Sequence, residues 1–167
     1  MTAAGYQAYI ARDTERRQLQ AYVSIHSGAT GFPNIADPFA AIVIVKNSGQ
    51  TPAYDFQLNE YFGGPLPYPF TTSCPSHKTI DTKSVVTLSS QQEEPLTVKT
   101  DKPLGITGLS VLNGGDASQR IYFCGTVTYN DIFGYSHWTR FNFSYRAVDN
   151  KGVGIEYSDH GNDADHN

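Results

Sequence analysis

The residue types best suited to chemistry lie together in the segment GTVTYNDIFGYSHWTRFNF, residues 125–143. Asp131 and His137 stand close together there, and an aspartate beside a histidine can act as an acid–base pair. No serine or cysteine is placed with them as a nucleophile, and an Asp–His pair alone is weak evidence for catalysis. The same segment is also typical of a tight β-hairpin whose polar residues serve the turn.

Turn chemistry and side-chain alternation both favour the hairpin. Asp131 suits the first position of a type I turn, and Gly134 suits the last, with left-handed backbone. Residues 121–129 then pair with residues 137–145, and Tyr129 lies opposite His137. This register puts apolar or small side chains on one face of both strands. We therefore expect Asp131 to serve the turn and His137 to be a hydrogen-bonded or rim histidine.

The C-terminal tail is the second group of candidate residues, because aspartate and histidine can hold zinc or a hard cation. Its members are Asp159, His160, Asp163, Asp165 and His166. Their order does not match a calcium-binding loop, and no nucleotide-binding, zinc-protease or serine-hydrolase motif occurs elsewhere. We expect a solvated acidic tail, no metal site, no cofactor and no catalytic residue. The alternative is a hydrolase or metal-dependent enzyme that uses His137, Asp131 and the tail residues.

Composition limits the class of partner. The net charge is −4, only 17% of residues are charged, and 13% are aromatic. The basic residues are scattered, whereas a nucleic-acid groove needs clustered Lys and Arg, so we expect no nucleic-acid partner. No apolar run reaches the ~18 residues of a membrane span, and no signal-peptide pattern is visible.

The elements that must position these residues are mostly strands. Residues 8–18 favour a short N-terminal helix or lead-in, and Gln18–His26 alternates like a half-buried strand. Phe39–Asn47 is apolar on both faces, as in a central strand covered on both sides. In the next strand we expect Tyr54, Phe56 and Leu58 to point inward. Residues 104–115 favour strand or irregular structure.

Together these signals predict an all-β domain of seven to nine strands, most consistent with an immunoglobulin-like β-sandwich. A small barrel is the alternative. The chain divides into a lead-in or helical stalk (1–17), a β-sandwich domain (18–158) and a polar tail (159–167).

A proline-rich segment, GGPLPYPFTTSCP (residues 63–75), predicts an extended loop that crosses an end or an edge of the sheet. Its exposed rings and prolines, with those just before it, could form a partner surface. The predicted binding residues are Tyr61, Phe62, Tyr68, Phe70, Trp138 and His137. The alternative is a loop that packs over the open edge of the sandwich.

The cysteines, Cys74 and Cys124, do not have zinc spacing and form no CxxC motif. The hairpin register puts Cys124 on the outer face, where the proline-rich loop could bring Cys74 over it. One disulfide and two free thiols are both open.

Two segments, KNSGQTPAYDFQL and GTVTYNDIFGYSHWTRFNF, resemble a group of uncharacterised bacterial proteins in which a short N-terminal membrane segment precedes a β-sandwich. The matching residues are Asn47, Gly49, Thr51, Pro52, Ala53, Gly125, Val127, Tyr129, Asp131, Phe133 and Gly134. The resemblance spans roughly residues 17–146, and the chain lacks the membrane segment.

This resemblance implies a membrane-associated module but no activity. We therefore expect a non-enzymatic, membrane-proximal interaction or binding module with a protein partner or self-association. Membrane contact would come only through a segment absent from this chain. A structural part of a larger assembly is a further alternative.

Overall fold

The computed structural model describes residues 3–31, 34–69, 74, 78–79, 86–148, 152–158 and 161–165. Over these residues the chain forms α1 (Ala3–Leu19), α2 (Gly105–Leu112) and ten strands. The strands are β1 (Val23–Thr30), β2 (Ala40–Asn47), β3 (Ala53–Pro67), β4 (Lys78–Thr79), β5 (Val86–Leu88), β6 (Glu93–Lys99), β7 (Gln119–Asn130), β8 (Ser136–Val148), β9 (Gly152–Tyr157) and β10 (Asp163–Ala164).

The strands build two sheets, which confirms the all-β prediction. The smaller sheet has the order β1–β2–β6. The larger has the order β10–β8–β7–β3–β4, with β5 also on β3 and β9 also on β8. One of the two is curled like a half-barrel. The core is rich in aromatic rings that contact one another, with Phe62 5.4 Å from Tyr145 and 5.5 Å from Phe123 between ring centroids.

β7 and β8 form the predicted hairpin, with Tyr129 opposite His137. In the turn, the Gly134 N–H donates to the Asp131 carbonyl at 3.1 Å. The backbone of Gly134 has φ +80°, in the left-handed region that the turn requires. Both the register and the turn geometry derived from the sequence are therefore confirmed.

β2 lies in the centre of its sheet as predicted, but only one of its faces is covered. Val43 and Val45 are completely buried, whereas Ile42 between them is 39% exposed. The prediction of burial on both faces is wrong because this small sheet packs on the core through its inner face alone.

β3 departs from simple alternation near its start. Phe56 and Leu58 are buried as predicted, but Tyr54 is 40% exposed. Asp55 has φ +52°, and the pairing with β7 shifts register between Tyr54 and Gln57. A β-bulge of this kind reverses the side-chain alternation, so Tyr54 faces outward.

β3 also runs further than predicted. It continues through residues 63–67, which the sequence assigns to the proline-rich loop, and pairs there with the start of β7 after a second register shift. Residues 70–73 and 75 of that segment lie outside the described residues.

The segment 104–115 contains a helix, so the prediction of strand or irregular structure is wrong. α2 buries Gly108, Val111 and Leu112, which lie three and four residues apart as on one helical face. Gly114, at φ +84°, ends the helix, and the Gly115 N–H donates to the Ser110 carbonyl at 2.7 Å. Gly105 and Gly108, which lie within the helix, hide it in the sequence because glycine has low helix propensity.

The turn after β2 is organised by one buried amide. The Asn47 side chain accepts the N–H groups of Tyr22 (3.2 Å) and Gly49 (3.0 Å). It donates to the carbonyls of Thr51 (2.8 Å) and Leu88 (3.1 Å). Asn47 therefore ties the end of β2 to the start of β1 and to β5, which gives its place in the N-x-G-x-T-P-A pattern a physical role.

The predicted proximity of the cysteines is confirmed. Cys74 and Cys124 form a disulfide with a Cα–Cα separation of 6.0 Å, within the usual range for such bonds. The bond ties the segment after β3 to β7.

Candidate functional site

The candidate site is centred on His137, whose ring lies between two carboxylates. Nε2 is 3.1 Å from Oδ2 of Asp131, and Nδ1 is 2.6 Å from Oδ2 of Asp165. The side chains of His137 and Asp131 are 1% and 0% exposed, and that of Asp165 is 8% exposed. We call these three residues the His137 cluster.

Asp131 has two tasks in the cluster. Oδ1 accepts the backbone N–H groups of Phe133 at 2.8 Å and Tyr135 at 2.9 Å, as expected for an aspartate that serves a turn. Oδ2 faces His137. The sequence predicted the role of Asp131 in the turn. Its buried contact with His137 arises because the hairpin brings the two side chains together.

Asp165 reaches the cluster from the C-terminal segment. Its N–H donates to the Trp138 carbonyl at 3.2 Å, and its Oδ1 accepts the Trp138 N–H at 3.3 Å. β10, just before it, pairs with β8 at Arg140 and Thr139. The expectation of a solvated tail therefore fails at Asp165. Asp159, His160 and His166 lie outside the described residues.

The chain just after α1 closes the other side of the ring. The side-chain nitrogen of Gln20 lies 3.0 Å from Nδ1 and 3.3 Å from Nε2 of His137. Tyr129 stacks on the imidazole with 5.4 Å between ring centroids, and its hydroxyl donates to the Ala21 carbonyl at 3.2 Å. Sequence reasoning missed Gln20 because it is 117 residues from His137.

The chemistry open to the cluster follows from its hydrogen bonds. Each ring nitrogen lies within hydrogen-bonding distance of a carboxylate oxygen, Nε2 of Asp131 and Nδ1 of Asp165. Both ring nitrogens then have partners, and the buried ring has no free nitrogen to offer a substrate. Among the described residues, no group of three or more His, Cys, Asp or Glu side chains is arranged to hold a metal ion.

The predicted binding residues do not form one surface. Phe62 and His137 are buried in the body of the domain, and Phe70 lies outside the described residues. Tyr68 is 40% exposed, with the Arg120 guanidinium 4.5 Å above its ring. Arg120 is near the start of β7. Trp138, on β8, is half-buried beneath Arg140 and pairs with Thr128 near the other end of β7. At about 3.3 Å per strand residue, these two ends are roughly 25 Å apart.

Tyr61 is half-buried and pairs with Cys124 between those two ends. Whether Tyr61, Tyr68 or Trp138 contacts a partner stays a prediction.

A further buried acid, outside the His137 cluster, lies on the inner face of β3. Glu60 is 6% exposed, and its Oε2 has no hydrogen-bond partner among the described residues. Burial, with a smaller contribution from the charge of Asp101, raises the pKa of Glu60 to about 7. Burial also raises the pKa of Tyr145, which the charge of Glu60 raises further. Alternation along β3 was the only sequence signal for this inward glutamate.

No helix in the described part of the chain is long and apolar enough to cross a membrane. No protein-family model, curated protein or solved structure matches the chain.

Proposed function

We propose that the chain is a non-enzymatic interaction module, built as an immunoglobulin-like β-sandwich, that works close to a membrane. The observation that carries the first part is the closure of the His137 cluster. A general acid or base must come within hydrogen-bonding distance of its substrate. The cluster is buried, and its two ring nitrogens are directed at Asp131 and Asp165.

The exposed N-terminal helix supports a position beside another structure. All the side chains of residues 4–18 are exposed or half-buried, including Tyr6 (58% exposed) and Tyr9 (65% exposed). A helix that does not contribute to the core is suited to act as a stalk between the folded body and a membrane segment. Tyrosines are also frequent at membrane–water interfaces.

The disulfide supports a compartment outside the cytosol. Structural disulfides persist in oxidising environments such as the bacterial periplasm and the cell exterior. The Cys74–Cys124 bond therefore agrees with a module held on the outer side of a membrane.

Two measurements test the proposal. In cells that produce the protein from its natural gene, we expect it in the membrane fraction after a high-salt wash, and full recovery in the soluble fraction would contradict membrane proximity. Elemental analysis of the purified chain tests the enzyme alternative built on His137, Asp131 and the tail. Stoichiometric zinc or calcium that is lost in a His137→Gln variant would favour that alternative.

The alternative of a structural part in a larger assembly rests on β2. Ile42 projects from the outer face of the small sheet, where a second copy of the chain could cover it. A dimer in solution that an Ile42→Ser variant converts to monomer would favour this function.

A further inference from the structure

A cleft separates α1 from the tip of the β7–β8 hairpin. It has a volume of about 750 Å³, within the range of roughly 300–1,000 Å³ that is usual for binding sites. Gly5, Ala8 and Tyr9 line it on the helix side, and Phe133 and Tyr135 line it on the hairpin side. The small residues Gly5 and Ala8 leave room opposite the rings.

The aromatic rings at the cleft are exposed to solvent. Phe133 is 43% exposed, Tyr135 is 49% exposed and Tyr9 is 65% exposed. Phe133 occupies an inner position of a tight turn, where small and polar residues are usual. Aromatic residues are enriched in the centres of protein–protein interfaces, so these rings indicate a contact surface.

The charges at the cleft favour an acidic partner. Arg12 and Arg16 both line it, and neither forms a salt bridge with a carboxylate among the described residues. The Arg16 guanidinium lies 4.0 Å above the Tyr135 ring, which holds it in place and leaves its N–H edge able to donate. Two acids, Asp13 and Glu15, also line the cleft. Arg17 pairs with Asp13 at 2.9 Å and offsets its charge.

We propose that this cleft binds a segment of a partner polypeptide in which an aromatic or large aliphatic side chain is flanked by acidic ones. The ring or aliphatic side chain enters the space between Ala8 and Phe133, and the carboxylates accept from Arg12 and Arg16. A concave site suits a projecting side chain better than the flat surface of a bilayer. The inference rests on the proposed interaction function and names its class of partner.

The test uses four fluorescent seven-residue peptides, in which Phe, Tyr, Trp or Leu has glutamates on both sides, and four matched peptides with lysines. Fluorescence polarisation with the full chain should show at least one acidic peptide bound about tenfold more tightly than its lysine counterpart, a difference of about 1.4 kcal/mol. Ala8→Trp fills the cleft and should weaken that binding by about tenfold or more.

Ala11→Trp is the matched control, because Ala11 is on the same helix, is exposed and does not line the cleft. It should leave the affinity unchanged, and circular dichroism should show both variants folded. Failure of all four acidic peptides to bind, equal binding of the lysine peptides, or full binding by Ala8→Trp would each overturn the proposal.

A last outcome would also overturn the peptide proposal. If the chain binds vesicles of phosphatidylcholine and phosphatidylglycerol, and Phe133→Ser abolishes this binding, the tip of the β7–β8 hairpin contacts a bilayer instead. The peptide results do not bear on the membrane-fraction and metal measurements, so failure of the peptides to bind is distinct from failure of the proposed function. Vesicle binding by the hairpin tip would overturn this inference alone and would agree with membrane proximity.

Discussion

His137 holds Asp165, 28 residues further along the chain, at 2.6 Å through Nδ1. The same ring faces Asp131 through Nε2 and Gln20 through both nitrogens. One buried imidazole therefore joins the segment after α1, the hairpin turn and the segment after β10. Removal of the ring should loosen both ends of the domain together.

We expect His137→Ala to lower the free energy of unfolding by about 3–5 kcal/mol, because it leaves buried carboxylates without their donor. Urea denaturation followed by tryptophan fluorescence measures this change. His26→Ala is the control, since His26 is exposed and should cost less than about 0.5 kcal/mol. A similar cost for both variants would show that the cluster does not fasten the chain ends.

Asp131 offers a comparison between its turn task and its contact with His137. Asp131→Asn keeps an oxygen for the N–H groups of Phe133 and Tyr135, so we expect a cost of about 1 kcal/mol. Asp131→Ala leaves both N–H groups without an acceptor and should cost about 2–3 kcal/mol. Thermal unfolding of the two variants shows which one is less stable. Equal melting temperatures would contradict the role of Asp131 in the turn.

Gly134→Val should destabilise the domain by at least about 1 kcal/mol, because a β-branched residue resists the left-handed backbone. A Cβ at this position would meet nothing within 4 Å, so the cost comes from the backbone alone. Gly134→Asn should cost clearly less, since asparagine tolerates this conformation. Chemical denaturation of both variants measures the difference, and equal costs would rule out backbone strain as the cause.

Glu60 should make stability depend on pH. Its pKa of about 7 in the folded state exceeds the usual glutamate value of 4.5, so the folded state binds more protons than the unfolded state between these two pH values. The protonated Glu60 carboxyl stabilises the folded state fully below the unfolded pKa. This contribution is lost as pH rises through 7, which lowers the free energy of unfolding by about 2–3 kcal/mol. Urea titrations at pH 5 and 8 should show this loss in the wild type and not in Glu60→Gln. The same pH dependence in both proteins would exclude Glu60 as its source.

Reduction of the Cys74–Cys124 bond should lower the free energy of unfolding, because the bond closes a loop with a sequence separation of 50. The chain-entropy model gives about 4 kcal/mol for such a loop, as an upper value. The midpoint of urea unfolding with and without a reducing agent measures this effect. The double variant Cys74→Ser, Cys124→Ser should not respond to the reducing agent, and a response there would assign the effect to another cause.

The hairpin could be predicted because its information is local. Asp131 and Gly134 define the turn, and alternation along the two adjoining strands gives the same register independently. Tyr54 could not be placed, because the bulge at Asp55 has no strong sequence signal. α2 was missed because Gly105 and Gly108 weaken its helical pattern.

The site was only partly predictable, because its contacts are long-range. Asp131 and His137 stood out as neighbours in one hairpin, but nothing in the tail distinguishes Asp165 from the other acids. Its position depends on β10 pairing with β8, a contact of only two residues on the side of β10. Gln20 reaches the ring because Asn47 and Thr51 hold the chain beside it, with the Thr51 hydroxyl donating to the Leu19 carbonyl.

Because Gln20 and Asp165 meet at the same ring, the polypeptide enters and leaves the folded body at one point. A tension applied between residues 20 and 165 would first load the His137 cluster and the short β10–β8 contact. The strands of the core would stay outside the path of the force until those contacts opened. The force that opens the His137 cluster and the β10–β8 contact is therefore a separate property from the free energy of unfolding of the domain.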